Sequence, residues 1–324
     1  MLNWIVIGIG DITTKRVIPA IASEPRSRLY GVVSRDAGKG RPYAPRVWTT
    51  LAEALEDPAV ATVYVATPVA LHAPQSIAAM RAGRHVLCEK PMAMNYAEAL
   101  RMVETARETG VQLGVAYYRR LYPKLRRAQE LLAAGTIGRP LLAEIRCHGW
   151  FENHDGFRAW LLDPALAGGG PLYDIASHRI DVLNFLFGRP VKVSAHLANT
   201  VHHYAVEDSA TLLIEYEGGV RGVCDVRWNS RVSRDEFRIV GTDGELELTP
   251  LNEPRLVTPA GEEQLPPHAN LHYPLIENFV SAVLDGVPLA SSGETALATD
   301  AVTQAAVSGS ALPDLPDGSR PGSG

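Results

Sequence analysis

An acid and an imidazole four residues apart, Asp174 and His178, follow a run of three glycines, Gly168-Gly169-Gly170. Residues three and four apart stack on one face of a helix, so Asp181 is expected to share the face of Asp174 and His178. At that spacing a carboxylate orients a ring and raises its basicity, as a general base requires. Far upstream, Glu89-Lys90-Pro91 follows the apolar run Val86-Leu87-Cys88 and offers an ammonium able to bind a hydroxyl and stabilise an alkoxide. Near the start, Gly8-Ile9-Gly10-Asp11-Ile12-Thr13 follows the strand-like Trp4-Ile5-Val6-Ile7. Gly8 permits a tight turn, Gly10 lets backbone approach a pyrophosphate, and the next helix aims its first amides at that anion. Gly8, Gly10, Asp11 and Ile12 are thus candidate contacts of a dinucleotide. A dinucleotide cradle, a cation and an acid–base pair together imply hydride transfer at a carbon bearing a hydroxyl. Each part has a plainer reading: an ordinary βα turn, a strand-end Lys90 paired with Glu89, or a surface Asp–His pair worth a few tenths of a kcal/mol. Their joint presence and order favour the chemistry.

Further residues flank these three. Ser34-Arg35-Asp36 ends the second strand-like run; an acid at that place would suit the ribose hydroxyls of NAD, whereas Arg35, with Lys39 and Arg41 close by, suits a 2′-phosphate. Ser34 and Arg35 therefore favour NADP over NAD. Thr67 and Pro68 end another strand-like run and His72 opens the following helix, all three placed to touch a cofactor. Tyr117, Tyr118, Arg119 and Arg120 mark the passage to the second half of the chain, a usual place for substrate contacts. Trp150, His154, Arg158 and Trp160 form an aromatic, polar stretch suited to covering a sugar ring. The third glycine of the dinucleotide pattern is replaced by Thr13, which keeps helix and strand from packing as closely, and Pro19 should kink the first helix.

The elements that must position these residues fall into two textures. Residues 1–118 alternate apolar β-rich runs (Leu29–Val33, Ala61–Val65, His85–Cys88, Val111–Val115) with helical stretches (Leu71–Ala82, Ala97–Thr109), which predicts βαβ units and a parallel sheet covered on both faces. After a helix at Leu125–Ala134, the chain reads mainly as successive strands: Leu141–Cys147, Val191–Leu197, Ala210–Glu215, Val220–Val226, Glu236–Val240 and Glu245–Leu248. Glu217-Gly218-Gly219 and Thr242-Asp243-Gly244 read as hairpin turns, so this sheet should be antiparallel. Between them Gly168-Gly169-Gly170 reads as a flexible loop, and a helix begins at Pro171 and ends before Gly188, burying Leu172, Ala176, Ile180, Leu183 and Phe187. Helical pattern returns at Leu275–Leu284 and Glu294–Val307. The expected organisation is an α/β chain: a doubly wound dinucleotide-binding domain over 1–118, an α+β substrate-binding and oligomerisation domain over 119–308, and a flexible tail over 309–324.

Composition narrows the function classes. With 324 residues, 46% hydrophobic and 21% charged, the chain can build two cores. Its net charge of −5 gives no footprint for nucleic acid. No apolar run approaches the ~18 residues of a membrane helix, and no leader peptide is apparent at the start. Cys88, Cys147 and Cys224 are far apart and lack metal-ligand spacing, which fits a reducing, cytoplasmic setting and no metal. Cys88 reads as buried packing.

The chain resembles the Gfo/Idh/MocA oxidoreductases over nearly its whole length. The resemblance is carried by Gly8-Ile9-Gly10, by Ala66-Thr67-Pro68 with His72, by Ala82-Gly83-Arg84-His85-Val86-Leu87-Cys88-Glu89-Lys90-Pro91, and by Gly168–His178 followed by Asp181 and Gly188. It implies a Rossmann domain, a C-terminal domain with an open antiparallel sheet through which homodimers or homotetramers form, and a sugar, cyclitol or related polyol as substrate. It also implies a catalytic set of Lys90, Asp174 and His178: His178 the acid/base, Asp174 its partner, and Lys90 the residue that positions the reacting oxygen. The departure from the family pattern lies between Asp36 and Trp48, where a longer helix is usual and this chain carries Pro42 and Pro45. Two rival readings use the same parts: a redox-neutral lyase or glycoside-cleaving enzyme holding NAD(P) tightly, and a non-catalytic dinucleotide-binding regulator. The intact trio argues against the latter.

Overall fold

The computed structural model describes residues 1–153, 156 and 158–316. Contacts divide the chain into two units, one of residues 1–118 with 268–294, the other of 119–267 with 295–324.

The first unit holds six parallel strands: β1 (Leu2–Ile7), β2 (Ser27–Val33), β3 (Val47–Trp48), β4 (Thr62–Val65), β5 (His85–Cys88) and β6 (Leu113–Val115). Their order is β3-β2-β1-β4-β5-β6, the doubly wound order in which direction reverses between β1 and β4. β4 is buried throughout and β1 nearly so, as strands covered by helices on both faces must be. Asn95 caps the helix Tyr96–Thr109 by accepting from the Glu98 amide, and Gly110, at φ 70°, ends it. The region Asp36–Trp48 has only the four-residue helix Ala37–Gly40, capped by Asp36 through the Gly38 amide. The shortened segment expected from its prolines is therefore present.

A single boundary after residue 118 would place the helix near Leu275–Leu284 in the second domain. That helix, Tyr273–Asp285, belongs to the first unit. Phe279 packs its ring 5.4 Å from that of Trp4 and lies against Gly114, where a Cβ would meet it at 3.0 Å. Arg26 donates to Asp285 at 2.6 Å and to Ser281 at 2.7 Å. Periodicity could locate the helix but not its partner.

The second unit is built on eight strands, β7 (Pro140–Trp150), β8 (Pro190–Ala198), β9 (Ser209–Tyr216), β10 (Arg221–Arg227), β11 (Asn229–Gly241), β12 (Glu245–Glu247), β13 (Arg255–Thr258) and β14 (Gly261–Gln264). Their order is β14-β13-β12-β11-β7-β10-β9-β8. Every neighbouring pair is antiparallel except β7 with β10. Both expected hairpins are present, at β9–β10 and β11–β12. Along β7 and β11 buried Ala143, Ile145, Phe237 and Ile239 alternate with half-exposed or exposed Glu144, Arg146, Glu236 and Arg238. One face is therefore core and the other a charged surface. The helix Ser177–Phe187 lies on the core side, its Asp181 held by the Arg120 Nε at 3.0 and 3.1 Å. Beyond the last helix, which ends at Ser308, residues 309–316 carry no helix or strand, although Leu315 is buried. The remainder of the expected tail, 317–324, lies outside the described residues.

Candidate active site

In the first unit the candidate residues collect at the carboxyl ends of neighbouring strands. Gly8 follows β1, Thr67-Pro68 follows β4 and Glu89-Lys90 follows β5. A Cβ on Gly8, whose φ is +92°, would stand 2.4 Å from the Ala66 carbonyl oxygen. Only glycine lets the β1 and β4 ends approach so closely. A Cβ on Gly10 would meet nothing within 4 Å. Open space thus lies beside the second glycine, where a pyrophosphate must approach, and the residues present fit a dinucleotide.

Thr13 is buried, and its hydroxyl both accepts from the Gly10 amide (2.9 Å) and donates to the Gly10 carbonyl (2.8 Å). The substitution that would loosen packing instead ties the loop closed. The helix that follows begins as a π-turn, Thr13–Val17, and becomes α-helical at Ile18, with Pro19 in its first turn. This is how the chain accommodates the expected disturbance at Pro19. Asp11 is exposed and pairs with Lys15 at 2.9 Å, while Ile12 starts the helix. Ser34 donates to the Asp36 carbonyl at 2.7 Å and Arg35 is exposed at the end of β2. Asp36 spends its carboxylate on the Gly38 amide at 2.9 Å.

His72 sits differently from a direct cofactor contact. It is buried, with Nδ1 2.8 Å from the Pro91 carbonyl and Nε2 2.8 Å from the Thr67 carbonyl. The neutral ring donates its one N–H to one of these carbonyls and lies against the other, so His72 sits between the β4 and β5 loops rather than open to a ligand. Burial lowers its pKa, and the two carbonyls recover only part of that fall. Thr67 donates its hydroxyl to Gln75 at 2.7 Å. Glu89 accepts from Tyr64 at 2.7 Å and from the Lys90 amide at 3.2 Å. Tyr117 is fully buried and Tyr118 nearly so, its ring centroid 4.7 Å from that of His272.

In the second unit the helix bearing Asp174 and His178 also opens with a π-turn, Leu172–Ala176. Both π-turns of the described chain thus fall in segments singled out for chemistry, a recurrent association of such bulges. From Pro171 to Phe185 every residue is buried except Asp174, Ile175 and His178. Arg158 approaches Asp174 at 3.6 Å. Asp181, expected on the face of Asp174 and His178, is buried against Arg120 and belongs to the core. Trp160 packs on a satellite apolar cluster with Leu161, Val206 and Trp228. His154 of the same stretch lies outside the described residues.

Two residues escaped the sequence reading. Glu207 accepts from the Leu172 amide at 3.0 Å, and the Gly170 amide also bonds its carboxylate. A Cβ on Gly170 would fall 2.1 Å from the Glu207 carbonyl, and on Gly168 or Gly169 it would strike the Tyr173 ring at 2.4 or 2.6 Å. The triple glycine is therefore a close-packed seat for Glu207 and Tyr173, whereas the sequence reading made it a flexible loop. Burial raises the Glu207 pKa against the opposing pull of these amides. No local signal marks Glu207, because its partner lies 35 residues away. The second residue is His272, immediately before the helix Tyr273–Asp285 and wholly buried at 3.6 Å from Glu89. Among the described residues no group of three metal-ligating side chains occurs, and no helix is long and apolar enough to cross a membrane. The three cysteines form no disulfide, and Cys88 is buried as expected.

Residues 2–117 match the model of an oxidoreductase family with an NAD-binding Rossmann fold, GFO/IDH/MocA, and residues 125–247 match a GFO/IDH/MocA C-terminal domain. The chain is 33% identical to 1,5-anhydro-D-fructose reductase of Ensifer adhaerens, over 96% of this chain and 98% of that protein. Among solved structures, GenD2 from gentamicin A biosynthesis in complex with NAD is 29% identical at a TM-score of 0.83, covering 94% of this chain and 93% of its own. Aldose-aldose oxidoreductase from Caulobacter crescentus, complexed with glycerol, is 26% identical at a TM-score of 0.84, covering 97% and 99%.

Proposed function

This chain belongs to the Gfo/Idh/MocA family of oxidoreductases, and on that premise we propose that it moves a hydride between a nicotinamide dinucleotide and a hydroxyl or carbonyl carbon of a sugar, cyclitol or related polyol. The observation that carries this reading is the meeting of Gly8 with Ala66-Thr67 at the switch point between β1 and β4, with Glu89-Lys90 ending the next strand. In an open α/β sheet that crest is where a dinucleotide binds. When bound, the nicotinamide supplies or accepts the hydride. Gly8, Gly10, Asp11 and Ile12 would hold the pyrophosphate end, and Thr67, Pro68 and Glu89 the nicotinamide end.

His178 takes the hydroxyl proton during oxidation and returns it during reduction. Asp174, one turn earlier on a helix buried from 171 to 185 apart from Asp174, Ile175 and His178, orients the ring. The Lys90 ammonium holds the reacting oxygen and stabilises its developing charge. Tyr117, Tyr118 and Trp160 are proposed to shape the substrate site. Exposed Arg35, with Asp36 committed to its own helix cap, supports a preference for NADP over NAD.

Fluorescence titration with NADPH and NADH, followed by a polyol and ketose panel on the tighter nucleotide, tests the proposal. Turnover with a matching nucleotide absorbance change is expected. Substrate consumed without that change would select redox-neutral chemistry, and binding without turnover of any substrate would select a regulator. The charged face of the second sheet, with Glu144, Arg146, Glu236 and Arg238 outward, is proposed to join copies of the chain into a homodimer or homotetramer. Light scattering should give an oligomer mass that R146E/R238E lowers; a monomeric parent would refute it.

A further inference from the structure

We propose that His272, together with Tyr64, is a positioning residue that fixes the Glu89 carboxylate as a stationary counter-charge beside Lys90. The proposal rests on the role given to Lys90 above.

The cluster draws on three parts of the first unit that no local motif connects. Glu89 lies just past β5, Tyr64 is on β4, and His272 arrives about 180 residues later at the start of the helix Tyr273–Asp285. His272 and Tyr64 are each 0% exposed. Tyr64 donates its hydroxyl to Glu89 Oε1 at 2.7 Å, the Lys90 amide donates to Oε2 at 3.2 Å, and His272 Nε2 stands 3.6 Å from Oε1. Neither ring nitrogen of His272 makes a hydrogen bond. A buried imidazole with no hydrogen bond is costly, and Glu89 is the charge it faces.

The backbone holds His272 there firmly. Its amide donates to Asn270 Oδ1 at 3.0 Å, Asn270 Nδ2 donates to the Arg16 carbonyl at 2.8 Å, and the Ile276 amide donates to the His272 carbonyl at 3.0 Å. Tyr118 covers the ring from the other side at 4.7 Å between centroids.

The electrostatics agree with this geometry. Burial pushes the Glu89 carboxyl up, but His272, Tyr64 and Lys90 outweigh it and hold Glu89 below its ordinary range. Burial and the Glu89 charge push the Tyr64 phenol far upward, so Tyr64 acts as a donor only. The titratable and charged groups facing the carboxylate are Tyr64 from β4, His72 from the helix after it, Lys90 beside it and His272, while Cys88 and Tyr118 act on the Tyr64 phenol. A carboxylate held by hydrogen bonds from a phenol and an amide, with an imidazole packed at 3.6 Å against it, keeps one rotamer. The field at Lys90 then stays constant while the ammonium engages a substrate oxygen. Without His272 the carboxyl protonates more readily and can turn away.

Two readouts test this, one independent of turnover. In pH-difference infrared spectra of the full chain, the stretch of protonated Glu89 is assigned by its loss in E89Q. In H272Q and H272L that band should appear at higher pH than in the parent. In turnover, H272L should lose about tenfold in kcat, equal to ~1.4 kcal/mol, with the cofactor KM little changed, and the acid limb of its pH profile should move upward. H272Q should retain part of the rate, and Y64F should shift the limb in the same direction. An unmoved infrared band, or parental kcat and pH profile in both His272 variants, would overturn the proposal. A parent inactive on every substrate, with the infrared shift intact, would instead count against the oxidoreductase reading and leave the His272–Glu89 coupling supported.

Discussion

At the scale of single residues, the proposed chemistry rests on a few side chains whose removal has distinguishable effects. His178→Ala and Lys90→Ala should each lower kcat by ~10²–10⁴-fold while nucleotide binding, read by fluorescence titration, persists. Lost binding in both would mean that these residues build the cofactor site. His72 yields a different signature. Its folded pKa is depressed by burial, so as pH falls through the ordinary histidine range the unfolded chain takes up a proton that the folded chain refuses. Stability is therefore full above that range and declines as pH drops toward the folded value. His85, also lowered by burial and accepting from the Gln112 amide at 3.0 Å, adds in the same sense. Urea midpoints measured across mildly acidic pH should show a shallower decline in His72→Gln than in the parent. Equal slopes would remove His72 from the account.

At the scale of elements, the glycine seat and the buried ion pair set how the helix bearing Asp174 and His178 is held. Gly170→Ala puts a methyl 2.1 Å from the Glu207 carbonyl, overpacking that should cost about 1–3 kcal/mol and lower kcat by displacing the turn that carries Asp174. Arg120 and Asp181 are essentially unexposed, so Arg120→Leu strands a buried carboxylate and should cost about 3–5 kcal/mol. The double variant with Asp181→Leu should recover much of that loss in denaturant titration. This scale also shows what sequence patterning can reveal. The helices over 96–109, 123–133, 273–285 and 293–308 and the strands from β7 to β12 were legible, because apolar period and turn residues are local signals. β13 and β14, four residues each and the latter almost wholly exposed, gave no such signal. The π-turns were invisible as well, since an i→i+5 bond leaves the apolar spacing nearly unchanged. Asp181 was misplaced for a related reason: helical phase says which residues share a face, but not which face an arginine from another element will seek. Glu207 and His272 were missed because each acts on a residue 35 or more positions away.

At the scale of the whole molecule, neither unit is continuous in sequence. The first needs residues 268–294 and the second needs residues beyond 294. Phe279→Ala, emptying the space between Trp4 and Gly114, should destabilise the protein by about 3–5 kcal/mol, seen as a lowered denaturant midpoint. A fragment of residues 1–118 should expose Trp4 to quenchers, whereas adding residues 268–294 as a separate peptide should protect it again. The same arrangement carries a consequence for biosynthesis. The ribosome must add all of residues 119–267 before the nucleotide-binding half receives the helix that covers Trp4, so the nascent chain has to keep Trp4 and its neighbours from aggregating while that stretch is made.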